Sequence, residues 1–310
     1  MAFLNNDIKL ALENKELRAS TILSYETLVK RLYRDALGRN DFDISLLKKK
    51  KTKIINYITE TTDMNLNIKR NVLNAIIKVL NVSEYKDSKL VKDYALLFRE
   101  IAKSAEEERT YKGATKEEFE NRVSKEEIEK MISLYEKELD SKKYIWSIDL
   151  PYLFLNFIHY LPIFRNQDYI SLKIAINKKD KREFANYLDI KEGIISISEY
   201  KTSKTGGVRT IDIPDKLLSV IKKFYSKVES KILFHKKNMK FEAMSTSAFT
   251  HWVNSIFGRK IGTMDLRRAY ISDLIDSGIK IKDRKKIAND MGHNIRTQSE
   301  KYGRYAKINN

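Results

Sequence analysis

Through the first hundred residues, apolar positions recur at spacings of three and four, as in Ile22, Tyr25, Leu28, Val29 and Leu32 and again in Val72, Ile76, Ile77 and Leu80. That is the period of helices burying one face, and no strand-like alternation interrupts it. Ser20 or Thr21 stands where an N-cap hydroxyl is expected, and Gly38 follows as a stop signal. A helical domain is therefore expected over residues 1–105. The lysine run at 48–51 reads either as a solvated face or as an edge that contacts phosphate. Residues 104–122, SAEEERTYKGATKEEFENR, are polar without a regular apolar period, so 106–122 are expected to link two domains. Ser124-Lys-Glu-Glu127 has the capping-box form of a new helix and opens a second domain, 123–310.

The second domain mixes periods. Helical segments around 124–139 and 147–160 precede three strand-like stretches at 185–190, 194–200 and 208–213, separated by Lys-Glu-Gly and Thr-Ser-Lys-Thr-Gly-Gly. These predict a small antiparallel sheet with glycine turns. Pro214 suits the first turn of a helix, where its missing N–H costs little. From there the pattern is helical to the end, punctuated by Gly258, Gly262, Gly278 and Gly292. The expected fold class is mainly α with a small antiparallel β-sheet.

Composition narrows the function. With 42% hydrophobic and 33% charged residues the chain is a globular protein. Its net charge of +18, from 60 Lys+Arg against 42 Asp+Glu, favours a polyanionic partner. There is no cysteine, and the four histidines lack metal-ligand spacing, so neither a metal nor another cofactor is expected. The most apolar stretch, 152–164, is broken by Asn156 and His159 and is too short to span a bilayer. The beginning of the chain lacks the apolar run of a signal peptide. An intracellular protein is expected, in the cytoplasm or a host nucleus, without a membrane partner.

Four pieces of the second domain carry candidate chemistry: Arg165 in LPIFRNQDYISL, Lys204 in the glycine-rich turn, Arg267 in MDLRRAYISDLIDSG, and the closing MGHNIRTQSEKYGRY with His293 and Tyr302. Singly they have ordinary readings, as a surface ion pair, a solvated lysine, a helix cap and a packed tyrosine. In this order the set resembles the catalytic domain of the tyrosine recombinase (phage integrase) family, over about residues 122–305. That family has an Arg at a helix start with an acid three residues on, a Lys on a hairpin, a His-x-x-Arg box, a Gly-His pair, and a tyrosine nine residues after that His. Here Asp168 follows Arg165 by three, Lys204 lies in Ser-Lys-Thr-Gly, Gly278 follows Arg267 by eleven, and His293 to Tyr302 is a step of nine. The Met-Gly-His segment with Thr-Gln after it is similar to recombinases of large DNA viruses and eukaryotic mobile elements. The N-terminal helices are similar in character to the family's core-binding domain.

The resemblance implies a site-specific recombinase or integrase that cuts double-stranded DNA with Tyr302, leaving a 3′-phosphotyrosine and a free 5′ hydroxyl. The bond energy stays in the covalent intermediate, so rejoining needs no ATP. Arg165 and Arg267 would hold the non-bridging oxygens of the five-coordinate phosphorus, because guanidinium stays charged and donates two parallel hydrogen bonds. Asp168, one helical turn on, is expected to hold Arg165 in place. Lys204 would protonate the leaving oxygen and His293 would donate to the phosphate or position the nucleophile. Lys201 is the alternative to Lys204, and Tyr305 the nearest rival to Tyr302. The family's box residue before the second Arg is usually His; here it is Met264, whose thioether cannot exchange protons, leaving Arg268 or Asp265 to take such a role. A register shift would make Arg268 the catalytic arginine, but the Leu266-Arg267 pair and the Gly278 spacing favour Arg267. The implied partners are DNA, further copies of the chain in a tetramer on DNA, and accessory DNA-bending proteins. Two other functions compete: a type IB topoisomerase-like nicking and closing enzyme, and a catalytically weakened DNA-binding protein.

Overall fold

The computed structural model describes residues 3–111, 120–201, 203–228 and 230–298. The chain divides into two compact units, Met1–Lys112 and Gly113–Asn310.

The described part of the first unit is helical: α1 Asn6–Glu13, α2 Ala19–Leu32, α3 Ser45–Lys49, α4 Lys51–Glu60, α5 Leu66–Leu80 and α6 Lys89–Tyr111. Ile22, Val29 and Leu32 of α2 are buried, with Tyr25 and Leu28 packed beside them, as the periodicity predicts. The start of α2 differs. Arg18 is its N-cap and makes no side-chain cap bond, so Ser20 and Thr21 lie inside the first turn. The helix runs on as a π-helical turn, Tyr33–Leu37, and stops at Gly38 in the left-handed conformation (φ +67°), which glycine adopts without a Cβ penalty. Helix α5 is capped by the Asn65 side chain, which accepts from Ile68 N, and buries Val72, Leu73, Ile76, Val79 and Leu80 against α2 and α6. Two buried tyrosines tie the loops down: Tyr33 Oη donates to Asp43 O and Tyr94 Oη to Leu47 O. Helix α6 continues to Tyr111 through the first part of the polar stretch, because its Ala, Glu and Arg residues are good helix formers without an apolar period.

The second unit is built round one apolar helix. After α7 (Lys125–Glu138), capped by Ser124 as its sequence predicts, comes α8 (Trp146–Tyr160), buried along most of its length. Phe154 and Phe157 of α8 meet Tyr169, Phe234, Phe249 and Trp252 in mostly edge-to-face pairs, so the apolar run at 152–164 is core. Among the described residues no helix is long and apolar enough to cross a membrane.

Helix α9 (Asn166–Ser171), strand β1 (Lys173–Ala175) and helix α10 (Lys178–Glu183) lead into β2 (Asn186–Asp189), β3 (Ile194–Ile197), the short α11 (Ser203–Gly206) and β4 (Arg209–Asp212). The sheet order is β1-β2-β3-β4. The pairs β2–β3 and β3–β4 are antiparallel, with Tyr187 opposite Ser196 and Ile195 opposite Ile211. Strand β1 was not expected; it is three residues long and joins β2 in parallel across α10. After α12 (Asp215–Val228) the expected helical run is broken by a second pair, β5 (His235–Lys236) and β6 (Met239–Ala243). Its anchor is the buried His235, whose Nε2 accepts from Tyr144 Oη at 2.8 Å while Nδ1 donates to Lys236 O. The remaining helices are α13 (Thr246–Phe257), α14 (Thr263–Asp276), α15 (Ile281–Asp290) and the short α16 (Ile295–Thr297).

One ion pair fastens α8 to α12 inside this unit. Lys227 Nζ lies 2.5 Å from Asp149 Oδ1, both side chains 4% exposed, and Asp149 Oδ2 also accepts from Ile145 N at the start of α8. Asp149→Asn leaves the ammonium without a countercharge and is expected to cost about 3 kcal/mol of unfolding free energy. A denaturant titration checks this; a loss within error of zero contradicts it.

Candidate active site

Arg165 occupies the N-cap position of α9 with extended backbone (φ −80°, ψ 157°). Its neighbour Asn166 fixes this corner: Asn166 Nδ2 donates to Thr250 Oγ1 on α13, and Thr263 Oγ1 at the start of α14 donates to Asn166 Oδ1. The half-buried Arg165 guanidinium therefore leaves the helix sideways, and its Nη2 donates to Gly292 O at 3.0 Å. Its Nη1 is buried and has no hydrogen-bond partner among the described residues.

Asp168 does not hold Arg165 as the sequence suggested. The expectation assumed two residues on one helical face, whereas Arg165 is a cap outside the helical turn. Asp168, 1% exposed, instead accepts from Arg209 Nη2 at 3.1 Å. Arg209, also 1% exposed, donates through Nη1 to Asp290 O at 2.8 Å, and its guanidinium lies 4.0 Å above the Tyr200 ring. Nothing in the motif pattern marks Arg209. The signal was the period of two along β4, where Arg209 and Ile211 face inward and Thr210 and Asp212 outward.

Arg267 of α14 is fully buried. Nη1 donates to Ile163 O (2.5 Å), and Nη2 to Met291 O (3.1 Å) and to His293 Nδ1 (2.9 Å). Arg268 points elsewhere: its Nη1 pairs with Asp265 Oδ1, and Asp265 Oδ2 caps the helix by accepting from Gly262 N. Met264, in the same first turn, is 45% exposed.

Gly292 is where these groups converge. It follows α15 with φ +70°, and a Cβ there would lie 2.9 Å from Arg209 Nη1 and 3.0 Å from Arg165 Nη1. Glycine is thus required for its backbone conformation and for the two guanidiniums packed against it. The turn carries His293, whose backbone N–H bonds Ala288 O. Burial, then the Arg267 and Arg165 charges, push the imidazole down to about 3, with the Met291 carbonyl pulling weakly the other way. The ring is therefore neutral at ordinary pH. A guanidinium has no acceptor, so the contact with Arg267 requires Nδ1 to accept, and the one ring proton sits on Nε2.

The structure thus brings together Arg165, Arg267 and His293, with Arg209 and Asp168 packed behind them. Three guanidiniums lie together in a largely buried space, with Arg209 paired to Asp168, an arrangement that favours an anionic ligand with several acceptor oxygens. Lys201 is exposed on the connection between β3 and β4. Lys204 lies on the same connection, in α11, but its side chain falls outside the described residues, as do Tyr302 and Tyr305.

No protein-family model and no curated protein matches the sequence. Among solved structures, the integrase of transposon Tn1549, in complex with transposon right end DNA, aligns over 98% of this chain and 98% of that one with 14% identity and a TM-score of 0.57. A crystal structure of XerA recombinase aligns over 96% of this chain and 93% of that one with 13% identity and a TM-score of 0.43. The chain has the tyrosine recombinase/integrase fold.

Two outcomes follow from this geometry. Below the ordinary histidine value of 6.5 an unfolded chain takes up a proton at His293 that the folded chain refuses, so this contribution to stability is present above 6.5 and is lost as pH falls toward 3. Melting temperatures across that range should fall less steeply in His293→Gln than in the wild type; parallel curves contradict a neutral buried ring. Gly292→Ala meets both the left-handed backbone and the two guanidiniums, and should cost about 2 kcal/mol or more. A denaturant midpoint unchanged from wild type contradicts that packing.

Proposed function

We propose that the chain is a site-specific DNA recombinase that cleaves and rejoins duplex DNA through a covalent bond between Tyr302 and a 3′ phosphate. The observation that carries this reading is the convergence of Arg165, Arg267 and a neutral His293 on one cationic space. The fold shared with an integrase solved on transposon-end DNA and the charge of +18 support the choice of DNA as partner.

In this reading the scissile phosphate sits against Arg165 and His293. Arg165 donates to a non-bridging oxygen, and Arg267 supplies charge while orienting the imidazole. His293 gives an Nε2–H hydrogen bond to the phosphate and does not act as a base, because its other nitrogen is engaged by Arg267. Tyr302 attacks phosphorus as its hydroxyl proton passes to water, the bond to the 5′ oxygen breaks, and Lys204, or Lys201 on the same connection, gives that oxygen its proton. Religation is the reverse, with a 5′ hydroxyl of another strand attacking the phosphotyrosine. Met264 takes no part in proton transfer. Exchange between two duplexes implies four copies of the chain on DNA, with accessory DNA-bending proteins as further partners, in the cytoplasm or a host nucleus.

The test uses fragmented genomic DNA of the organism that encodes the chain, quenched in detergent so that covalently bound DNA stays on the protein and can be mapped. A nicked duplex built on the recovered sequence should then accumulate adduct with the wild type and none with Tyr302→Phe. Arg165→Ala or Arg267→Ala should slow adduct formation by about a hundredfold or more. DNA binding without any adduct leaves the DNA-binding reading. Adduct retained in Tyr302→Phe means another nucleophile, with Tyr305 first in line.

A further inference from the structure

Arg209 lies where three pieces of the site meet. Its fork takes Asp168 on α9 with one nitrogen and Asp290 O at the end of α15 with the other. Its flat face covers Tyr200, whose hydroxyl donates to Gly207 O and so ties the two stems of the β3–β4 connection together. Its Nη1 lies against Gly292, whose carbonyl holds Arg165. A guanidinium 1% exposed cannot itself reach a phosphate on the surface, yet every group it touches adjoins one that the proposed reaction uses. A salt bridge this deep is weak as a source of stability, because desolvation of both charges offsets most of their attraction. What it supplies is geometry: a planar, forked cation fixes the relative positions of its three partners, which a lysine or a hydrocarbon cannot do.

We infer that Arg209 is a positioning residue of the catalytic site, which acts by holding the Gly292–His293 turn and the Arg165 corner in register with each other around the scissile phosphate. The inference rests on the recombinase reading of that site. The guanidinium neither exchanges protons nor touches substrate; it keeps Gly292 O where Arg165 Nη2 meets it and, through the same turn, holds His293 Nδ1 against Arg267 Nη2. A displacement of the order of one ångström at those groups is enough to lower a chemical step about a hundredfold.

The experiment compares single-turnover adduct formation by the wild type, Arg209→Met, Arg209→Lys and Asp168→Asn. The probe is the mapped duplex with either an ordinary phosphate or a neutral methylphosphonate at the scissile position. Asp168→Asn keeps a carbonyl to accept from Arg209 and protects the measurement if the Arg209 variants do not fold. On phosphate, both Arg209 variants should lose about a hundredfold in rate and Asp168→Asn about tenfold, with duplex affinity within about threefold of wild type. On methylphosphonate the losses should shrink at least severalfold, because the neutral centre makes less use of well-placed Arg165 and His293. Equal losses on both substrates, or no loss on phosphate, overturn the inference. A second readout needs no DNA: in Arg209→Lys, which keeps the charge and loses the fork, the His293 ring and Gly292 amide signals followed by NMR in the free protein should move from their wild-type positions. Unchanged signals overturn the inference even if the wild type cuts nothing, whereas absence of wild-type adduct overturns the recombinase reading alone.

Discussion

A guanidinium taken out of water is costly without acceptors, and Arg267 draws its acceptors from three segments of the second unit. Its partners are Ile163 O just before the Arg165 corner, Met291 O in the turn after α15, and the imidazole of His293. These segments lie far apart in sequence and are brought to one point because each gives this one side chain an acceptor. Glycine at 292 is the geometric complement, since it leaves the turn thin enough for Arg165 and Arg209 to close on it.

The electrostatic result is an excess of fixed positive charge beside a neutral donor. Asp168 is committed to Arg209, and burial pushes the Asp290 carboxyl up from its ordinary value. In the proposed recombinase reading, charge that develops on a phosphorane would meet donors already in place. His293 fits that design as a neutral hydrogen-bond donor, because a third cation beside Arg165 and Arg267 would be repelled by both.

Much of this was legible in the sequence. Arg165, Arg267 and His293, singled out by the resemblance of their order to the family's motifs, lie together in the structure, and the three strands around the glycine turns form where alternation and glycine both mark them. What was not legible depended on partners distant in sequence. Asp168 was assigned to Arg165 by helical spacing, but the cap position of Arg165 turns its side chain away and Arg209 takes the carboxylate. Arg209 itself looked like any polar residue in a strand. Strand β1 is too short to show a period, and β5 and β6 are held by the burial of His235 against Tyr144, a contact across 91 residues. Ser20 and Thr21 looked like caps by type, yet α2 begins at Ala19 after Arg18.

The central claim is that this cationic space holds a phosphate for attack by Tyr302. The most direct measurement is mass spectrometry of the protein–DNA adduct after nuclease and protease digestion. The peptide containing Tyr302 should carry the mass of a nucleotide joined through its 3′ phosphate. A nucleotide on any other residue, or attached through a 5′ phosphate, would contradict it.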